Sequence, residues 1–262
     1  MTKVIWNETG KRRYEAGIDR AVLYVKGSVG VPWNGLVSVS ERSAGIEIKK
    51  YYFDGINYLN IATSEEFEAT ITAFYSPKEF DQCDGMVEPI KGLLVTQQRR
   101  KLFGLTYRTL IGNDTEGTSH GYKIHLVYNA LATPSDKDYE TLSDNTDPTN
   151  LSWDIVTRPY AIPSAAHSAH LILDSTELSP YSLKLLEDVL YGTPETEPRL
   201  PLPSELFDIL LQRIFIVTDH GDGTFTVESS DDAVSILDED TFEINEPRVV
   251  FSDEFTYTVS SD

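Results

Sequence analysis

Five histidines, His120, His125, His167, His170 and His220, and one cysteine, Cys83, are the first places to look for chemistry in this chain. His167 and His170 are three apart, a spacing that shares a face on a helix. Their setting, SAAHSAHLILD, leads into a strand, where an odd spacing sends two side chains to opposite faces. Asp219, Asp222, Asp231 and Asp232 carry oxygens of the kind calcium takes, but the run lacks the spaced ladder and terminal Glu of a helix-loop-helix site. DHGDGT reads instead as a hairpin turn. A single cysteine rules out an intrachain disulfide and a multi-cysteine metal centre, and it is expected to be a partly buried thiol. No nucleophile with a base and no phosphate-cradling glycine loop has the required spacing. The expectation is therefore no catalytic residue, no metal site, no cofactor and no enzyme. Arg99, Arg100 and Lys101 form a basic run suited to phosphate or to carboxylates, and in an acidic protein they are read as charge contacts with a neighbouring subunit.

The charge map narrows the partners. The chain has 262 residues and a formal net charge of -20. Residues 1–133 hold 16 Lys and Arg against 15 Asp and Glu, whereas residues 134–262 hold 6 against 27. A protein that grips nucleic acid carries a basic stripe, which is the opposite footprint. No basic-plus-apolar leader precedes the first strand, and no apolar run approaches the length of a membrane span. The expectation is a protein made in a cytosol that leaves it only by lysis, with no membrane segment.

The elements that would carry these residues are mostly strands. Phe67, Ala69, Ile71, Ala73 and Tyr75 alternate with Glu66, Glu68, Thr70 and Thr72, the period-2 pattern of a sheet with one wet face. Ala21–Val25, Leu36–Val39 and Ile46–Tyr52 read as strands, with turns at Ser43 to Gly45 and at Asp54-Gly55. Ser76-Pro77 suggests a short helical segment capped by Ser76. Lys101–Ile111 and Gly121–Thr133 form a long hairpin. Residues 134–152 read as a mobile loop, and Trp153–Ile162 and Ala169–Leu173 as further strands. Ser179-Pro180 opens the clearest helix, 180–191, which Gly192 ends. Thr193–Pro203, with four prolines, reads as a semi-rigid linker to a second short helix at Ser204–Leu211. A domain boundary is placed near residue 213. Residues 214–262 would then be an acidic extension or small outer domain of short strands, and residues 1–213 a β domain with an N-terminal arm. Trp6 and Tyr14 on that arm need something to pack against, and an adjacent subunit would supply it.

This order of elements, with Trp6-Asn7 and Gly10 in an extended arm, resembles the major tail tube proteins of long, non-contractile (siphophage) tails. The resemblance covers residues 6–111 and resumes over HLILDSTELSPYSLKLLEDVLYG, residues 170–192. It implies a mainly β, antiparallel sandwich or barrel-type fold with one flanking helix. It also implies hexameric rings stacked head to tail into a tube that delivers DNA without binding it specifically. The partners implied are further copies of the chain, a tape-measure protein, a tail terminator and distal tail proteins, assembled in the host cytoplasm and located in the virion tail. Glu66, Glu68, Thr70 and Thr72 would then line the bore. Two other readings of the same pattern stand beside it. One is a carbohydrate-binding, adhesin-like sandwich using exposed tyrosines such as Tyr51, Tyr52 and Tyr58. The other is a different virion ring or decoration protein.

Overall fold

The computed structural model describes residues 6–44, 48–62, 66–134, 137, 141, 148–211, 214–219, 225–229, 234–238, 241–244 and 250–251. The strands are β1 (Tyr14–Val25), β2 (Val31–Pro32), β3 (Leu36–Ala44), β4 (Ile48–Phe53), β5 (Ile56–Ala62), β6 (Glu66–Ala73), β7 (Val87–Ile90), β8 (Leu93–Val95), β9 (Phe103–Asn113), β10 (Gly117–Ala132), β11 (Leu151–Val156) and β12 (His170–Asp174). Helices α1 (Pro180–Tyr191) and α2 (Pro203–Leu210) follow, then β13 (Ile214–Asp219), β14 (Phe225–Ser229), β15 (Val234–Asp238), β16 (Thr241–Ile244) and β17 (Val250–Phe251). The protein is mainly antiparallel β.

β9 shows why the layers stack as they do. Phe103, Leu105 and Tyr107 are buried on one of its faces and Thr106 and Arg108 on the other, so it has no wet side and must be the middle of three layers. On the first side it packs with Leu23 and Val25 of β1, Ala69, Ile71 and Ala73 of β6, Trp153 and Ile155 of β11, and Trp33. Phe80 sits at the centre of this core, its ring 4.7 Å from Trp33, 5.2 Å from Trp153 and 5.3 Å from Phe103. On the second side Val22 and Tyr24 of β1 and Ile124 and Leu126 of β10 meet Leu186 and Leu190 of α1 and Leu206 and Ile209 of α2. The result is a layer of β3, β6 and β11, a layer of β1, β9, β10 and β12, and a layer of helices.

One long strand joins the two sheets. β10 pairs with β9 and β12 and then, at Leu131 and Ala132, with β11. The changeover carries a register shift between Val127 and Ala130, with Asn129 at φ 47°, a left-handed conformation that Asn tolerates better than most residues. The strand order is β2-β1-β9-β10-β11-β6-β3, with β12 also on β10. Arg108 lies between the middle layer and α1. It forms a two-pronged bond to Asp19 (2.8 and 2.7 Å) and its guanidinium stands 4.2 Å over the Tyr122 ring.

Several boundaries differ from the sequence expectation. β3 continues to Ala44, so Ser43 and Ala44 belong to a strand paired with Phe67 and Glu66 rather than to a turn. β6 stops at Ala73, which leaves Tyr75 exposed instead of in the core; its carbonyl accepts the Trp33 indole N–H at 2.9 Å. The segment after Pro77 is a 3-10 turn (Lys78–Gln82) with no side-chain cap, so Ser76 has no capping role. β11 ends at Val156, well short of Ile162. The proline run 193–203 is packed against the body: Pro198 accepts from Gly30 at 2.8 Å, Arg199 donates to Val189 at 2.9 Å, and Leu200 joins the helix-side core. Cys83 is fully buried, and burial pushes its thiol up to about 12. The helix at 180–191 stands as expected, with Ser179 Oγ accepting from Ser182 N at 3.1 Å and Gly192 at φ 79°. The expected loop at 134–152 lies largely outside the described residues, as do the turn 220–223 and the strand 255–259. Among the described residues, β13 to β17 pair only with one another.

Candidate functional site

The exposed apolar side chains are concentrated on two hairpins. β4 and β5 form a two-stranded sheet of their own, joined by Asp54 (φ 50°) and Gly55 (φ 75°), both in the left-handed region that a tight hairpin turn needs. β7 and β8 form another, with a turn at Gly92 (φ 87°). Of the twenty large apolar residues exposed among those described, Tyr51, Tyr52, Phe53, Ile56, Tyr58 and Leu59 lie on the first hairpin, and Val87, Ile90, Leu93, Leu94 and Val95 on the second. Ile56 is 73% exposed and Tyr58 78%. Among the described residues, neither hairpin contributes a side chain to either core. A lone two-stranded hairpin is marginal in water, and clustered uncovered apolar side chains are the kind of surface on which partners dock.

The layer of β3, β6 and β11 has one apolar face and one polar face. Glu66, Glu68, Thr70 and Thr72 fall on the polar face, opposite the buried Ala69, Ile71 and Ala73. Register extends that face across three strands: Thr72 sits between Ser38 and Ser152, Thr70 between Ser40 and Asp154, and Glu68 beside Arg42. Arg42 bridges Glu68 (3.2 Å) and Asp154 (3.5 Å), and Thr70 Oγ1 donates to Asp154 at 2.5 Å. The helices lie on the other side of the molecule. β3 ends the strand path, and among the described residues it pairs only with β6, so its outer backbone edge is open.

The remaining sequence candidates scatter. Trp6 is 81% exposed. Tyr14 opens β1 with its ring over Gly112, where a Cβ would come within 2.3 Å of it, so the free arm ends before residue 14. The arm itself is tied to the β9–β10 turn by Gly10 N–H donating to Asp114 at 2.9 Å. Arg100 is committed within the chain, to Asp84 (3.2 Å) and to the carbonyls of Ala132 (3.2 Å) and Thr133 (3.4 Å), while Arg99 and Lys101 are solvent-facing.

A further group was not legible beforehand. Glu41 sits opposite the core residue Ala69, so it points inward from the edge strand β3. There it meets His125 of β10 and His170 of β12. His125 Nδ1 is 3.2 Å from Glu41 Oε1 and 3.1 Å from His170 Nε2, and His170 Nδ1 is 3.9 Å from Glu41 Oε2. Tyr107 donates to Glu41 Oε1 at 2.6 Å, and His125 Nε2 lies 3.1 Å from Thr109 Oγ1. The bond from His125, followed by that from Tyr107, holds the Glu41 carboxyl down at about 2 against the opposing effect of burial. Burial pushes His170 down to about 4, opposed by the Glu41 charge. Burial and the bond to Glu41 push the Tyr107 phenol upward. Glu41 and His170 line a cleft of about 490 Å3, with Phe67 and His167. Pairing His167 with His170 missed this group because His125 reaches His170 across strands, which spacing along the chain does not reveal. The available signal was a carboxylate in the same phase as Val39.

No protein-family model matches the chain, and no curated protein matches it. Among solved structures it is similar to a chain of the PVC sheath-tube complex of an extracellular contractile injection system in its extended state. That likeness has 15% identity, covers 59% of this chain and 88% of that one, and has a TM-score of 0.33. It is also similar to a chain of the anti-feeding prophage tube-terminating cap (11% identity, 67% and 97% covered, TM-score 0.33) and to one of the anti-feeding prophage baseplate (8%, 66% and 97%, TM-score 0.34). No helix among the described residues is long and apolar enough to cross a membrane.

Proposed function

We propose that this chain is a structural, non-enzymatic subunit of a phage-type tail tube, in which copies close into hexameric rings that stack head to tail around a bore. The observation that carries the reading is the pair of apolar hairpins, β4–β5 and β7–β8, which pair with no other strand among the described residues and whose exposed apolar side chains a second copy would cover. Lys49 and Lys50 on β4 suit a neighbour drawn from a chain of net charge -20. A contact between two different surfaces of the same molecule is what makes rings and filaments rather than closed dimers.

The polar face of β3, β6 and β11 supplies a wall for the bore. The open edge of β3 allows the sheet to continue into the next subunit, which removes the exposed strand edge. On that face Glu66, Glu68 and Asp154 outnumber Arg42, so the wall is mildly acidic. Within a Debye length of about 10 Å at 0.1 M salt, such a wall repels phosphate and lets DNA pass without holding it. The helices lie on the opposite side, where they would form the outside of the tube. The acidic segment 214–262 is read as an appended outer domain or an inter-ring arm. A tape-measure protein, a tail terminator and distal tail proteins would be the other partners, and the virion tail the location.

The test is light scattering across a concentration series. Mass should rise from monomer to six copies and beyond, and a variant with Tyr52, Phe53 and Ile56 changed to Ser should stay monomeric. A wild-type monomer throughout, together with glycan binding through Tyr51, Tyr52 and Tyr58, would favour the carbohydrate-binding reading instead.

A further inference from the structure

The group formed by Glu41, His125 and His170 has a feature that an ordinary hydrogen-bonded cluster lacks. Glu41, His125 and His170 each offer one ligand atom, and these three atoms lie within 4.8 Å of one another. A proton on His125 Nδ1 can serve Glu41 or His170, or be shared poorly between them. A cation bonds radially and can serve all three. Two edges of this group, 3.1 Å between the imidazole nitrogens and 3.2 Å from His125 Nδ1 to Glu41 Oε1, suit a metal at the usual bond lengths. Bonds of about 2.0–2.1 Å give edges of about 3.3 Å in a tetrahedron and about 2.9 Å in an octahedron.

We propose that Glu41, His125 and His170 bind one divalent transition-metal ion of the zinc class. Two imidazoles and a carboxylate are a donor set that suits Zn2+. The outer partners of such a site are also in place. Thr109 Oγ1 engages the far nitrogen of His125 and fixes its ring, Tyr107 OH orients the carboxylate, and the Tyr107 ring stacks on His125 with centroids 4.6 Å apart. The approach is from the cleft, which Glu41 and His170 line and which leaves room for water or a fourth ligand. The metal would link β3 to β10 and β12. It would thereby fasten the two β layers where the chain leaves β3 for the apolar hairpin that begins at Ile48. The inference does not depend on the tail-tube reading.

The test uses the full chain, stripped with a chelator and titrated calorimetrically with Zn2+ near neutral pH. One ion per chain is expected, with affinity reduced at least tenfold in Glu41→Gln and in His170→Gln and unchanged in His120→Gln, which lies outside the group. Binding that is absent, or that is equal in wild type and His170→Gln, would overturn the proposal. The wild-type protein gives a reading free of folding artefacts. With nitrogen-15 in its five histidine rings, Zn2+ should move the signals of His125 and His170 into the metal-bound range. Movement of neither would overturn the site.

Discussion

β9 and the β4–β5 hairpin are both rich in aromatic and branched residues, yet one is buried on both faces and the other is exposed from residue 49 to residue 60. Composition does not separate them. What separates them is whether the chain supplies a strand partner: β9 has β1 and β10 beside it and cores on both faces, whereas among the described residues β4 and β5 pair only with each other. A strand covered within the chain adds to the stability of the monomer. One left uncovered is, in the proposed reading, free to add to assembly.

The comparison can be broken most directly from the hairpin side. Changing Tyr52, Phe53 and Ile56 together to Ser should abolish growth beyond the monomer while leaving the urea midpoint of the monomer nearly unmoved. A large fall in that midpoint would place the hairpin in the chain's own fold. The reverse experiment is Trp153→Ala, which empties the site between Phe80 and Trp33. It should lower unfolding free energy by about 3–5 kcal/mol, measured by denaturant titration.

Acid should act on the body rather than on the hairpins. His170 titrates at about 4 in the fold against 6.5 ordinarily. The unfolded chain therefore takes the proton first, and stability falls as pH drops through that window. Glu41, at about 2 against 4.5, contributes stability that is complete above about 4.5 and is lost toward 2. The groups facing His170 are Glu41 and His125, with Tyr107 beyond them. With a chelator present, unfolding followed against pH should show an upper loss on the order of 1–3 kcal/mol that His170→Gln removes. A pH-independent midpoint above 4.5 would contradict that assignment.

Ser179→Ala should cost about 1 kcal/mol through the lost α1 cap, seen as a small shift in thermal midpoint. Glu66→Lys with Glu68→Lys should change monomer stability least, by about 0.5 kcal/mol or less. It should leave assembly intact and slow DNA release from reconstituted tails. Unchanged release would remove these residues from the bore.

Local signals were legible. The alternation in β6 correctly placed Ala69, Ile71 and Ala73 inside and Glu66, Glu68, Thr70 and Thr72 outside, because a strand's period is fixed by its backbone. Ser179-Pro180 and Gly192 marked α1 because caps act within a few residues. What was not legible depends on contacts far along the chain. Asp19 answers Arg108 across 89 positions, and His170 answers His125 across 45. The proline run 193–203 looked like a linker because its composition says nothing of the Gly30 amide and the Val189 carbonyl that bind it to the body.

The most direct test of the central claim is negative-stain electron microscopy of the purified full chain over a wide concentration range. Six-fold rings or tubes of stacked rings are predicted, lost in the Tyr52, Phe53 and Ile56 variant. Isolated single subunits or closed dimers at every concentration would contradict it.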